Sequence, residues 1–214
     1  MRLFVIVSMV ALLSARKGFF VVLDGIDGCG KTVHAKVLCR QLRERNYDVT
    51  YTSEPSRSPI GQFIGQKFLR ESKVAPEIET LLFAADRFHH LSKEVIPSLN
   101  ANKIVVSDRY IHASLAYQGA QGLKLEWIRQ VNNFVIKPDL AIYLDAPAEI
   151  GLARKRSRST LENLDLEKKV RQVYLDLVKS GELTKIDSNR HFDLVKRDIL
   201  TLVLQALERT HFSR

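Results

Sequence analysis

Eight consecutive residues, Gly25-Ile26-Asp27-Gly28-Cys29-Gly30-Lys31-Thr32, satisfy every fixed position of G-x-x-x-x-G-K-[ST]. The residue types explain the chemistry. Glycines let the backbone curl until successive N–H groups face phosphate oxygens, Lys31 brings charge to the β/γ-phosphates, and Thr32 offers a hydroxyl to Mg²⁺. Cys29 fills an unconstrained position and reads as a small residue that fits, rather than a catalytic thiol. A second cluster, Asp108-Arg109-Tyr110, closes the apolar run 103–107. A carboxylate at a strand end can hold Mg²⁺ or its waters, and the adjacent arginine can clamp a second phosphate. The third cluster, Arg154-Lys155-Arg156-Ser157-Arg158, places four positive charges in five residues. Such a run is commonly a solvated face or a nucleic-acid patch. Phosphoryl transfer gives it a sharper use, because an arginine delivered by a mobile loop accelerates that reaction by ~10³–10⁵. The phosphate loop itself contains no arginine.

These clusters need a frame that brings them together. The run Gly18-Phe-Phe-Val-Val-Leu23 has the pattern of a strand buried on both faces. Further strand-like runs occupy 48–52, 103–107, 140–144 and 183–186. Amphipathic stretches at 31–45, 59–70, 77–96, 110–118, 125–136, 147–155, 164–179 and 193–208 read as helices, the first with Val33, Val37, Leu38 and Leu42 on one face. Strand–helix alternation of this kind predicts an α/β protein: a phosphate-loop, three-layer αβα fold with a central five-stranded parallel sheet. Functional groups are then expected at the C-terminal ends of the strands. Residues 17–214 read as one domain with a short mobile lid at about 151–163. Residues 1–16 read as an N-terminal extension, from an upstream start codon or as a targeting segment. Their apolar run resembles a secretory signal and is too short to span a bilayer.

The 214 residues carry 33 Lys plus Arg against 24 Asp plus Glu, a net charge of +9 that calls for an anionic partner of some kind. Hydrophobic residues make up 45% and charged residues 27%, which excludes disordered and low-complexity classes. Two cysteines, Cys29 and Cys39, cannot build a disulfide framework, so a reduced compartment is expected, and no zinc.

Four blocks in order resemble the thymidylate kinase family: the phosphate loop with Val22-Leu23-Asp24 before it; Thr52-Ser53-Glu54-Pro55 with Ile60-Gly61; Leu82-Phe83-Ala84-Ala85-Asp86-Arg87-x-x-His90; and Asp108-Arg109-Tyr110-x-x-x-Ser114-x-x-Ala116-Tyr117-Gln118-Gly119. The resemblance implies transfer of phosphate from ATP to dTMP with Mg²⁺ held by Thr32 and Asp108. It implies that Phe83 stacks on thymine, Arg87 bonds its carbonyl edge, and Arg109 grips the dTMP phosphate. Tyr117 would pack where a 2′-hydroxyl would sit, Ser114 and Gln118 would lie near the base, and Asp27 would approach the 3′-hydroxyl. Glu54 belongs to the same acceptor site. The basic run resembles the family version with arginines in the lid, so Arg154 or Arg158 is the expected charge-stabilising residue.

Two positions depart from the family pattern. Ser53 stands where an arginine often precedes Glu-Pro, with Arg57 as the candidate replacement, and Val33 stands where another threonine is common. The resemblance further implies a homodimer working in the cytoplasm, with no nucleic-acid partner and no stable membrane association. Another nucleotide or deoxynucleoside kinase is the alternative, and a nucleotide-regulated nucleic-acid binder is the most distant one.

Overall fold

A computed structural model describes residues 17–66, 74–154, 160–210 and 212, with the side chains of 160–163 excepted. Residues 1–16, expected to be an N-terminal extension, and 155–159 of the expected lid, including Arg158, lie outside the described residues. Five strands form one sheet: β1 (Phe19–Asp24), β2 (Val49–Ser53), β3 (Ile104–Asp108), β4 (Leu140–Asp145) and β5 (Thr184–Asp187). Their order is β2-β3-β1-β4-β5, and every pairing is parallel. All residues of β1 and β3 are buried, as the apolar runs 19–23 and 104–106 require of strands covered on both faces; Asp24, Ser107 and Asp108 are the buried polar residues at their C-terminal ends.

The helices are α1 (Lys31–Arg43), α2 (Pro59–Gln66), α3 (Pro76–His90), α4 (Ile96–Asn100), α5 (Ile111–Ala120), α6 (Leu125–Val131), α7 (Ala148–Arg154), α8 (Thr160–Lys179) and α9 (Phe192–Arg209). A π-helical turn, Leu91–Val95, joins α3 to α4. The chain leaves β1 toward one edge of the sheet and leaves β3 toward the other. The crevice between their C-terminal ends is therefore the switch point where α/β sheets bind ligands. Register places Asp108 beside both Leu23 and Ser53, which brings the Asp-Arg-Tyr cluster between the phosphate loop and the Glu54 segment.

The apolar face expected for α1 is corrected. Val33 is 55% exposed and Val37 half-buried, while His34, Ala35, Leu38, Cys39 and Leu42 are buried. Lys31 sets the phase: its side chain turns back into the loop and is buried, so positions four, seven and eleven residues later, Ala35, Leu38 and Leu42, share its inward face. Two helix bounds also differ. The helix expected over 125–136 ends at Val131, and the one expected from 164 already begins at Thr160.

Candidate active site

The phosphate loop leaves β1 through Gly25, whose φ is 149°, then turns left-handed at Gly28 (77°) and Gly30 (98°). Gly30 starts α1 without a side-chain cap, and no acidic residue occupies the first turn. The helix N-terminus thus keeps its N–H groups and positive dipole end for an anion. Lys31 Nζ donates to the carbonyls of Gly25 at 2.9 Å and Ile26 at 2.8 Å, which holds the ammonium inside the loop. Burial pushes the Cys29 thiol above its usual pKa despite the opposing field of Lys31. The residue therefore stays a protonated filler, as its position in the motif suggested.

Thr32 Oγ1 donates to Asp108 Oδ2 at 2.5 Å. Asp108 Oδ1 is buried and has no hydrogen-bond partner among the described residues. A hydroxyl and a carboxylate in contact at the mouth of the loop, with an acceptor oxygen left over, form a donor set that fits Mg²⁺.

Arg109 adopts a left-handed φ of 77°, which costs a non-glycine residue about 1–2 kcal/mol. Its neighbours enforce that turn. The Arg109 N–H donates to Leu23 O at 2.9 Å, Ser107 Oγ donates to Arg109 O at 2.7 Å, and the Tyr110 N–H donates to Asp24 Oδ2 at 3.2 Å. The guanidinium then reaches Asp27 and lies 5.4 Å from the Tyr117 ring centroid. Burial alone would lower its pKa, but Tyr117, Asp27, Tyr174 and Asp24 together hold it well above the ordinary value. Asp24 is fully buried and also accepts the Gly25 N–H at 3.1 Å and the Tyr174 hydroxyl at 2.6 Å. One carboxylate therefore registers the phosphate loop against the arginine beside it.

Next to this charged end lies a cavity of ≈ 300 Å³. Asp27 of the loop and Arg109 line it together with Glu54, Phe83, Arg87, Ser114, Tyr117 and Gln118. Eight acceptor-site residues expected from sequence thus meet on one surface. Arg87 is not the surface ion pair that its neighbour Asp86 would suggest. It is 1% exposed, and its guanidinium donates to Glu54 Oε2 at 2.8 Å, Asn132 Oδ1 at 2.5 Å, Ser114 Oγ at 3.0 Å and Tyr110 O at 3.3 Å. Asp86 turns elsewhere, accepting the Ser56 N–H at 2.7 Å, the Ser56 hydroxyl at 2.5 Å and the Ser58 hydroxyl at 2.8 Å. These bonds pin the loop that carries Arg57. Gly61 closes the same loop, because a Cβ there would stand 2.1 Å from Ser56 O. Arg57 itself is exposed, as is Arg154 in the last turn of α7.

Glu79, Asn132 and Glu167 escaped sequence reading, and Asp24 and Tyr174 were given no role by it. Glu79 lines the cavity and accepts the amides of Gln118 and Gln121, both at 3.0 Å. The signal for Asp24 was its place in the family-like block, a charged residue closing an otherwise apolar run, and for Tyr174 its place in a family-like stretch after the basic run; Glu79, Asn132 and Glu167 gave no signal.

A phosphate loop on a parallel sheet, a hydroxyl–carboxylate pair at its mouth and a second, arginine-gripped cavity define a nucleotide kinase of the phosphate-loop class. The comparisons agree and go further. The family model described as thymidylate kinase matches residues 23–199. A probable thymidylate kinase of Pyrococcus abyssi is 41% identical over 201 residues, covering 89% of this chain and 98% of that protein. A probable thymidylate kinase of Pyrococcus horikoshii is 42% identical over the same shares, and one of Caldivirga maquilingensis is 42% identical over 86% of this chain and 92% of its own. The chain belongs to the thymidylate kinase family. It is thus a transferase that binds nucleotides, and among the described residues no helix is long and apolar enough to cross a membrane.

Proposed function

We propose that the chain phosphorylates dTMP to dTDP with ATP as donor. The observation that carries this reading is one cavity lined both by Arg109 and Asp27 of the phosphate-loop end and by Phe83, Arg87 and Gln118. It has room for a nucleoside monophosphate laid with its phosphate toward the donor.

In the reaction a phosphate oxygen of dTMP attacks the γ-phosphorus of ATP and the bond to the bridging β,γ-oxygen breaks, releasing ADP. The protein supplies alignment and charge rather than covalent chemistry. Backbone N–H groups of residues 25–32 hold the donor phosphates, and Lys31 exchanges its loop carbonyls for β/γ oxygens. Thr32 and Asp108 would hold Mg²⁺, which when bound with ATP neutralises phosphate charge. Arg109 grips the acceptor phosphate, assisted by Arg57 on its pinned loop in place of the arginine missing at Ser53. Arg154 and Arg158 are the candidates for stabilising charge on the transferring group. Phe83 stacks on the base. Arg87, already tied to Glu54 and Ser114, presents a fixed cation to the carbonyl edge, with Gln118 nearby. Closure of the lid would exclude water and so suppress hydrolysis of ATP.

A homodimer is supported by α3. Its residues Ile78, Leu81 and Phe88 are 48%, 53% and 37% exposed and fall on one helical face, an apolar stripe that a second copy would cover. A cytoplasmic location is supported by the two free, buried cysteines and by the need for ATP.

Coupled assays with dTMP, dUMP, UMP, CMP and thymidine test the substrate. Strong turnover of dTMP is expected; strong CMP turnover beside weak dTMP turnover would make the chain a different nucleotide kinase. Steeply salt-dependent DNA or RNA binding without kinase activity would favour the nucleic-acid reading.

A further inference from the structure

The helix that follows the lid segment is fastened to the phosphate loop by two side chains seven residues apart on one face, Glu167 and Tyr174. Tyr174 reaches the start of the loop through Asp24. Glu167 reaches its middle through Tyr117: the Tyr117 hydroxyl accepts the Asp27 N–H at 3.0 Å and donates to the Glu167 carboxylate, 3.4 Å from each oxygen. Glu167 is 6% exposed, a buried carboxylate to which the phosphoryl transfer described above gives no task. We propose that Glu167 is a positioning residue for sugar selection, engaging the Tyr117 hydroxyl proton so that the phenol presents a 2′-hydroxyl with no donor.

The inference rests on reading the cavity as the dTMP site. With the phosphate at Arg109 and the base at Phe83, the pentose spans the wall between them, and Tyr117 belongs to that wall while bonding the loop at Asp27. The only proton a phenol can donate is here directed to an acceptor-only carboxylate. A ribose 2′-hydroxyl arriving at this wall leaves water and finds no proton from Tyr117. An apolar wall that merely meets an added hydroxyl discriminates by about 10². Freeing the phenol proton would let it donate to the 2′-oxygen and return part of that factor.

The test compares kcat/KM for dTMP with that for its ribo counterpart, 5-methyluridine 5′-monophosphate. The Glu167→Leu variant is expected to narrow the preference for dTMP by about tenfold, the weight of one hydrogen bond. Glu167→Gln is expected to keep it, because the amide carbonyl still accepts the phenol proton. Adding Tyr117→Phe to Glu167→Leu is expected to restore discrimination, because phenylalanine has no proton to give. A role in packing alone would leave the double variant as relaxed as the single one, and that result would overturn the proposal. So would an unchanged preference in Glu167→Leu with thermal unfolding equal to wild type. Should Glu167→Leu fail to fold, a Glu167→Gln variant that folds as the wild type yet loses about tenfold of the preference would overturn it too, since its amide carbonyl can still accept the phenol proton. Absence of dTMP turnover in the wild-type chain would instead overturn the substrate reading itself.

Discussion

The two halves of the site are built in opposite ways. In the proposed function the donor half is eight consecutive residues whose backbone would do the binding, held in shape by glycines at positive φ and by a helix that begins where the loop ends. The acceptor half is assembled from side chains of the segment after β2, of α3, of α5 and of α8, spread from Glu54 to Leu166 of the chain and brought together by the fold. A backbone site fails when its glycines or its one lysine are changed. A side-chain site fails when the buried charges that hold it lose their partners, because each residue there is positioned by another.

Expected outcomes sharpen that contrast. Lys31→Ala removes the cation from the donor half and should lower kcat by about 10³-fold while dTMP binding, followed by calorimetry, survives. Arg87→Met strikes the acceptor half instead. It leaves the Glu54 carboxylate buried without its guanidinium, and chemical denaturation should show a loss of about 3 kcal/mol or more, beside a raised KM for dTMP. An Arg87 variant with normal stability would mean that Glu54 is not held as a charge.

Gly28→Ala tests the rigidity of the donor half. Its Cβ would lie 2.0 Å from Gly151 O at a residue with φ 77°, so α7 must move away from the loop. Thermal unfolding should report a loss of about 2 kcal/mol, from overpacking plus left-handed strain, with kcat falling as α7 is displaced from the loop. An alanine tolerated without loss would show that the contact between loop and α7 is soft.

The smallest effect concerns two histidines beside the site. Burial lowers the pKa of His34, with Arg154 adding to it, and burial likewise lowers that of His112 against the field of Asp24. The folded protein therefore binds fewer protons than the unfolded chain once pH falls below about 6.5, and stability should decline through that window. The double variant His34→Gln, His112→Gln should flatten the slope of Tm against pH between 7 and 5. An unchanged slope would locate the proton uptake elsewhere.

Much of this was legible beforehand because it is local. Each of the five strands was visible as a short strand-like run, and the eight-residue loop carries its own instructions in its glycines. Arg109, Phe83 and Tyr117 were found only as a set, through spacing shared with a family; singly, each has an ordinary structural explanation. Val33 was misplaced because hydrophobicity was weighed without the phase that an inward Lys31 imposes on α1. Asn132, Glu79 and Glu167 were invisible because their roles depend on what faces them across the cavity.

By itself the sequence determined the phosphate loop, the order of strands and helices, and the types of charge available to the site. These follow from backbone conformation and periodicity, which act between neighbours in the chain. Only the tertiary structure decided which carboxylate meets which donor: Glu54 with Arg87, Asp86 with Ser56 and Ser58, Asp27 with Arg109, Glu167 with Tyr117. Buried charges must find partners, and several pairings satisfy the sequence equally well. The parallel register of β1, β2 and β3 leaves room for one of them.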